Sequence, residues 1–157
     1  MTKQELNLGP LEPFIGMRLR CVHDFCAREF AAVSSTGSMH PGVATCLPLI
    51  VANPGISQIA LALASGFDKA TMVTIADDLE RAGWVTRGRS PTDRRVYALT
   101  ATAEGEKALK RLLADIERTE EKVFGALTAS ERRTLRTLIN KLYQHAVAAR
   151  AQGSSQS

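Results

Sequence analysis

Five arginines fall between positions 81 and 95, and the only acid among them is Asp93. Four of them, Arg87, Arg89, Arg94 and Arg95, belong to the segment RGRSPTDRRVYALT, in which two β-prone runs, residues 84–89 and 96–99, flank a polar tip. Pro91 with Asp93 suits a turn, and a tip this polar does not enter a core. Guanidinium groups offer forks of donors that match phosphates and other planar anions. The chemistry on offer is recognition of something anionic outside the protein.

Bond-making chemistry has no comparable signal. The sequence holds no nucleophile elbow, phosphate loop or HExxH spacing, and His23, His40 and His145 have no visible partner set. No enzymatic activity and no cofactor are therefore expected. A zinc site from Cys21, His23 and Cys26 is disfavoured because, in a helix, residues two apart point to nearly opposite sides. No metal is expected.

The 157 residues suit one domain with helical extensions, and 45% apolar residues can build a core. The net charge of +4 is a mild excess that favours polyanions. Its placement is more informative, because residues 68–80 carry Asp68, Asp77, Asp78 and Glu80 against Lys69 alone. The N-terminus has no apolar run of signal-peptide length, and no stretch is long and apolar enough to cross a bilayer. Three cysteines, an odd number in apolar helical context, suit reduced thiols. A cytoplasmic protein without membrane contact is expected, with a disordered tail over residues 151–157.

Positioning the arginines requires a scaffold. Ile15, Leu19, Val22, Cys26, Phe30 and Val33 recur at helical spacing over residues 13–33, and Phe14, Met17, Cys21 and Phe25 widen the apolar surface. This first helix is expected to be buried on more than one side. A second helix is predicted over residues 40–51, with Pro41 in its first turn and Pro48 bending its axis. Ser57 can cap a short helix over 58–65 that Gly66 stops, and Asp68 can cap the next, which Gly83 ends. Two capped helices joined by a short turn containing glycine form a helix-turn-helix signature, with Met72, Ile75, Ala76, Leu79 and Ala82 as the core stripe of the second. The hairpin follows directly. Thr100 is predicted to cap a long helix carrying Leu109, Leu112, Ile116 and Val123, and Thr128 with Glu131 forms a capping box for a last helix bearing Leu135, Leu138, Leu142, Ala146 and Ala149. Such stripes need a partner, most economically a second copy.

The stretch PGISQIALALASGFDKATMVTIADDLERAGWVTRGRSPTDRRVYALTATAEGEK resembles the winged-helix core of the MarR family of transcriptional regulators. The specific parts are Pro54-Gly55-Ile56-Ser57, Asp68-Lys69-Ala70-Thr71, LERAGWV at 79–85, Asp93-Arg94-Arg95, and Leu99-Thr100 with Gly105. Element order extends the likeness to about residues 13–148. The resemblance implies a mainly α (α+β) fold in a single domain, residues 1–157. Within it, a winged helix-turn-helix lobe spans 54–100, and a helical dimerisation region comprises 10–35 and 101–150. It also implies a homodimer that binds a pseudo-palindromic operator in double-stranded DNA and releases it when a small ligand enters a pocket beside the dimer helices.

A helix fits the major groove, and arginine on a slim hairpin suits the minor groove. By resemblance Arg95 is the minor-groove residue and Arg94 a phosphate contact, with Asp93 orienting a guanidinium. Ser57 and Gln58, at a helix start, can meet phosphate, while Lys69, Thr71 and Thr74 are candidate readers of bases or backbone. Arg87 and Arg89 complete the candidate DNA-binding set. For the effector, Arg18, Arg20, His23 and Arg28 punctuate an otherwise apolar first helix, which suggests an anion with an apolar body. An aromatic carboxylate or its coenzyme A thioester fits, with Phe25, Phe30, Met39 or Cys46 packing the ring. The alternative for these cations is surface pairing, since Arg20, Asp24 and Arg28 lie four residues apart. Two other functions stay open. One is redox sensing through Cys21, activated by Arg18 and Arg20 rather than buried as a small hydrophobe. The other is a winged helix used only for protein interaction.

Overall fold

The computed structural model describes residues 7–89 and 97–153. Among them the order of elements is α1 (Gly16–Val33), α2 (Val43–Ala52), β1 (Ile56–Ser57), α3 (Gln58–Ser65), α4 (Lys69–Arg81), β2 (Val85–Arg89), β3 (Tyr97–Ala101), α5 (Ala103–Phe124) and α6 (Ala129–Gly153). The fold is mainly helical, with a three-stranded antiparallel sheet in the order β1-β3-β2. It is a winged helix flanked by long helices.

The core lies behind the helix pair. Helix α2 is apolar nearly all round, and its Val43, Cys46, Leu47 and Ile50 have no exposed surface. They pack with Met72, Ile75, Ala76 and Leu79 of α4, with Leu61, Val85 and Leu99, and with Ala108 and Leu112 of α5. The back of α4 is thereby held by the lobe and by α5 in one continuous core. Pro48 sits inside α2 as expected.

Local chemistry sets the turns. Ser57 Oγ accepts the Ala60 N–H at 3.0 Å to cap α3, and Gly66 stops it with φ +82°, a left-handed conformation that favours glycine. The junction between wing and α5 is tighter. The Thr102 hydroxyl accepts the Gly105 N–H at 3.0 Å and donates to the Gly83 carbonyl at 2.6 Å. A Cβ on Gly105 would lie 2.0 Å from the Trp84 carbonyl oxygen, so only glycine allows α5 to start this close to the wing.

Several expectations change. Helix α1 has no buried residue, because within one chain only its α5-facing side is covered. Helix α2 begins at Val43 rather than residue 40, and Pro41 lies in a preceding turn in which the Val43 N–H donates to the His40 carbonyl. The cap of α5 is Thr102 rather than Thr100, since β3 runs on and Thr100 pairs with Thr86. The two-residue strand β1, pairing Ile56 with Leu99 and Ser57 with Ala98, had no sequence signal beyond its neighbours. Residues 151–153 continue α6, because no stop signal precedes Gly153. The capping box of α6 forms as expected, with Glu131 Oε2 accepting the Thr128 N–H at 2.8 Å.

One buried carboxylate ties the α1–α2 connection to α5. Asp115, only 2% exposed, accepts both the N–H and the hydroxyl of Ser35 at 2.7 Å and pairs with Arg118. Burial pushes its carboxyl up, but the Ser35 hydroxyl and N–H, with Arg118, outweigh this and hold it below 3.8. A depressed folded-state value contributes stability that is present above the unfolded value and lost as pH falls through the folded one. Asp115→Asn should therefore lower the melting temperature at neutral pH, and its gap from the unmodified chain should narrow as pH falls below the ordinary carboxylate range. A gap independent of pH, measured by thermal unfolding, would contradict this role for the charge.

Candidate nucleic-acid interface

Helix α4 turns its core stripe inward, which leaves Lys69, Ala70, Val73 and Thr74 exposed. Its start is fixed by Asp68, which accepts the Thr71 N–H at 2.8 Å and the Thr71 hydroxyl at 2.9 Å. These two donors hold the Asp68 carboxyl below its usual range. The Thr71 hydroxyl thus belongs to the cap. Thr74 Oγ1 lies 3.4 Å from the Ala70 carbonyl and stays on the exposed face.

At the start of α3, Ser57 Oγ is engaged in capping, while Gln58 Nε2 is buried without a hydrogen-bond partner among the described residues. Sequence reasoning passed over two exposed apolar side chains here, Val73 at 41% and Ile59 at 72% exposure. The available signal was that neither fits the core stripe of its helix. Aliphatic groups on an otherwise polar surface suit contact with thymine methyls.

The described part of the wing divides its arginines. Arg87 Nη2 bonds Asp77 Oδ1, and its Nε lies 3.3 Å from Glu80 Oε2. Arg89 stands over the Tyr97 ring, 4.4 Å from its centroid, a cation–π contact at the outer end of the strands. Asp93, Arg94 and Arg95 lie outside the described residues. Asp78 faces away from the wing and accepts the His40 N–H at 2.8 Å, and it also pairs with Arg81. The His40 N–H is the chief cause of its lowered carboxyl.

The expected effector residues separate into two groups. Arg18 bonds the Glu12 and Phe14 carbonyls and pairs with Glu12 at 3.0 Å, while Arg20 and His23 both approach Asp24. Arg28 and Phe25 are exposed. Phe30 and Met39 instead pack against the core that contains Cys46, which is fully buried and has its thiol pushed up to about 11 by burial. Met39 also lines an open cleft of about 310 Å³ with Ser38, Asp78, Arg81 and Ala82. Within one chain Cys21 is exposed rather than buried as a small hydrophobe, with Sγ 3.7 Å from Met17 Sδ. No cluster of metal-ligating residues occurs among the described residues.

A model of the MarR family matches residues 44–97, from α2 to the start of β3. The chain is also 36% identical over 141 residues to a proposed transcriptional regulatory protein for the hcr operon of Thauera aromatica, a match covering 89% of this chain and 85% of that one. The chain belongs to the MarR family. It is a DNA-binding transcriptional regulator of the MarR type. Among solved structures, the repressor CouR bound to a 23-mer DNA duplex superposes with a TM-score of 0.77 at 28% identity, covering 88% of this chain and 98% of CouR. A MarR family protein of Mycobacterium tuberculosis in complex with p-aminosalicylic acid gives 0.66 at 28% identity, with coverages of 82% and 97%. No single helix among the described residues is long and apolar enough to cross a membrane.

Proposed function

We propose that this MarR-type regulator is a repressor that binds a pseudo-palindromic operator as a homodimer and is released by a small anionic aromatic ligand, an aromatic carboxylate or its coenzyme A thioester. The carrying observation is the outward face of α4, where Lys69 supplies charge and Ala70, Val73 and Thr74 supply contact surface directly beside the wing. Helix α4 enters the major groove, Ser57 and Gln58 meet the backbone, and Arg95 reaches the adjacent minor groove while Arg94 holds phosphate. The duplex bound by CouR supports the DNA role.

The dimer is supported by apolar surface that one chain leaves uncovered. Phe14 and Ile15 precede α1 at 60% and 68% exposure, and α6 presents Leu138 and Leu142, each 56% exposed, with Ile139 and Tyr143 beside them. A two-fold axis covers like faces with like. The effector proposal draws on exposed cations along the apolar α1 and on the aminosalicylate complex of the mycobacterial relative. Arg20, paired among the described residues with the exposed Asp24 at 3.6 Å, can exchange that partner for a ligand carboxylate.

Titration against a duplex that the unmodified protein recovers from a random-sequence pool tests the DNA reading. Arg95→Ala should cost about 1–3 kcal/mol per half-site and flatten a preference for A·T pairs. Arg94→Ala should weaken selected and scrambled duplexes alike and lower the salt slope by about one. Unchanged affinity and sequence preference in Arg95→Ala would reject the minor-groove role. The effector reading is tested separately with p-aminosalicylate as the probe. It should weaken operator binding, and Arg20→Ala should raise the concentration required while ligand-free affinity stays within a few fold. An unaltered ligand response in Arg20→Ala would remove that residue from the effector site.

A further inference from the structure

Arg87 falls in the arginine-rich stretch that reads as DNA-facing, yet its geometry turns it the other way. Along β2 the side chains of Val85, Arg87 and Arg89 share one face, and Val85 on that face is buried. Arg87 is paired across the sheet with Leu99, which is fully buried. Its stem therefore runs along the core, and its guanidinium emerges beneath α4 between Asp77 and Glu80, which lie one helical turn apart. Nη2 bonds Asp77, and Nε stands at ion-pair distance, 3.3 Å, from Glu80, off the line of a hydrogen bond. The Arg87 side chain is 21% exposed, and the two carboxylates are about half exposed at 45% and 46%.

We propose that Arg87 is a positioning residue that clamps the wing to the recognition helix and thereby sets the spacing between major-groove and minor-groove contacts, without itself touching DNA. This rests on the DNA-reading function proposed above. Two carboxylates beside the guanidinium neutralise it and repel phosphate, so it is poorly placed as a phosphate contact. A planar fork with donors on separate nitrogens can meet two acceptors at once, which a lysine ammonium does less rigidly. The clamp has something to restrain. The chain passes from α4 to β2 through Gly83 at φ +71°, where, besides the backbone bonds of the turn, the Thr102 hydroxyl donates to the Gly83 carbonyl. Asp78, between the two clamp acids, is already committed to the His40 N–H and Arg81 and does not compete for Arg87.

The test is a mutant cycle on the full chain, comparing Arg87→Met, the pair Asp77→Asn with Glu80→Gln, and all three together. Binding is read with the duplex recovered by the unmodified protein and with a scrambled duplex, and thermal unfolding verifies that each variant is folded. Simple electrostatics predicts that removing two negative charges beside DNA tightens binding. The clamp predicts the reverse for the selected duplex, a loss of about tenfold in the acid-to-amide variant, with the triple variant no weaker than Arg87→Met alone. Amide hydrogen exchange reads the same clamp without DNA. Residues 85–89 and 97–101 should exchange faster in the acid-to-amide variant, while α2 and α5 are unchanged. Unaltered exchange in the wing, or tighter binding of the selected duplex by that variant, would overturn the proposal. If the unmodified chain recovers no duplex, the DNA-reading function fails, and the exchange measurement still decides the clamp.

Discussion

The rest of the structure depends on where the apolar faces of the outer helices can go. Helices α1 and α6 together make up more than a quarter of the chain, and α1 has no buried residue. Fully burying a leucine or phenylalanine stabilises by about 1.5–3 kcal/mol. Leaving Phe14, Ile15, Leu138 and Leu142 in water forgoes that several times over. Exposed apolar area of this extent marks an interaction surface. Because α5 packs on α1 and also shares the core of the winged helix, whatever covers the outer helices also sets where the reading head stands.

That linkage is built from short-range contacts. Helix α5 starts against the Trp84 carbonyl, with Thr102 bonding the α5 N-terminus and the Gly83 carbonyl together, so α5 and the base of the wing cannot shift independently. At the other end, the Tyr143 hydroxyl of α6 donates to the Ala64 carbonyl at 2.9 Å, beside the left-handed Gly66 that separates α3 from α4. Asp115 adds a third tie by fixing the α1–α2 connection to α5 through Ser35. A ligand that displaces α1 or α5 therefore has direct mechanical routes to the DNA-reading helices, as coupling between two sites requires.

Much of the lobe was legible because its signals are local. The caps at Ser57, Asp68 and Thr128, the stops at Gly66 and Gly83 and the α4 stripe all fall where residue type and spacing placed them. The errors trace to tertiary context. Thr100 was the expected cap of α5, but sheet pairing claims it and the cap falls to Thr102. Nothing in the dipeptide Ile56–Ser57 announces a strand, which exists only because β3 offers it an edge. The wing arginines are the most instructive case. Counted as charge they look alike, but strand alternation puts Arg87 on the same face as buried Val85, and the acids at 77 and 80 wait one turn apart on α4. That signal was present in the sequence, but it required knowing which helix the strand would lie against. Conversely, the apolar spacing of α1 led to an expectation of burial on more than one side, whereas within one chain none of its residues is buried.

That the outer helices form an interface between two copies is tested most directly by sedimentation velocity on the 157-residue chain at micromolar concentration. The predicted result is a single folded species of twice the 17.0 kDa chain mass. A soluble, folded species of 17.0 kDa would contradict it.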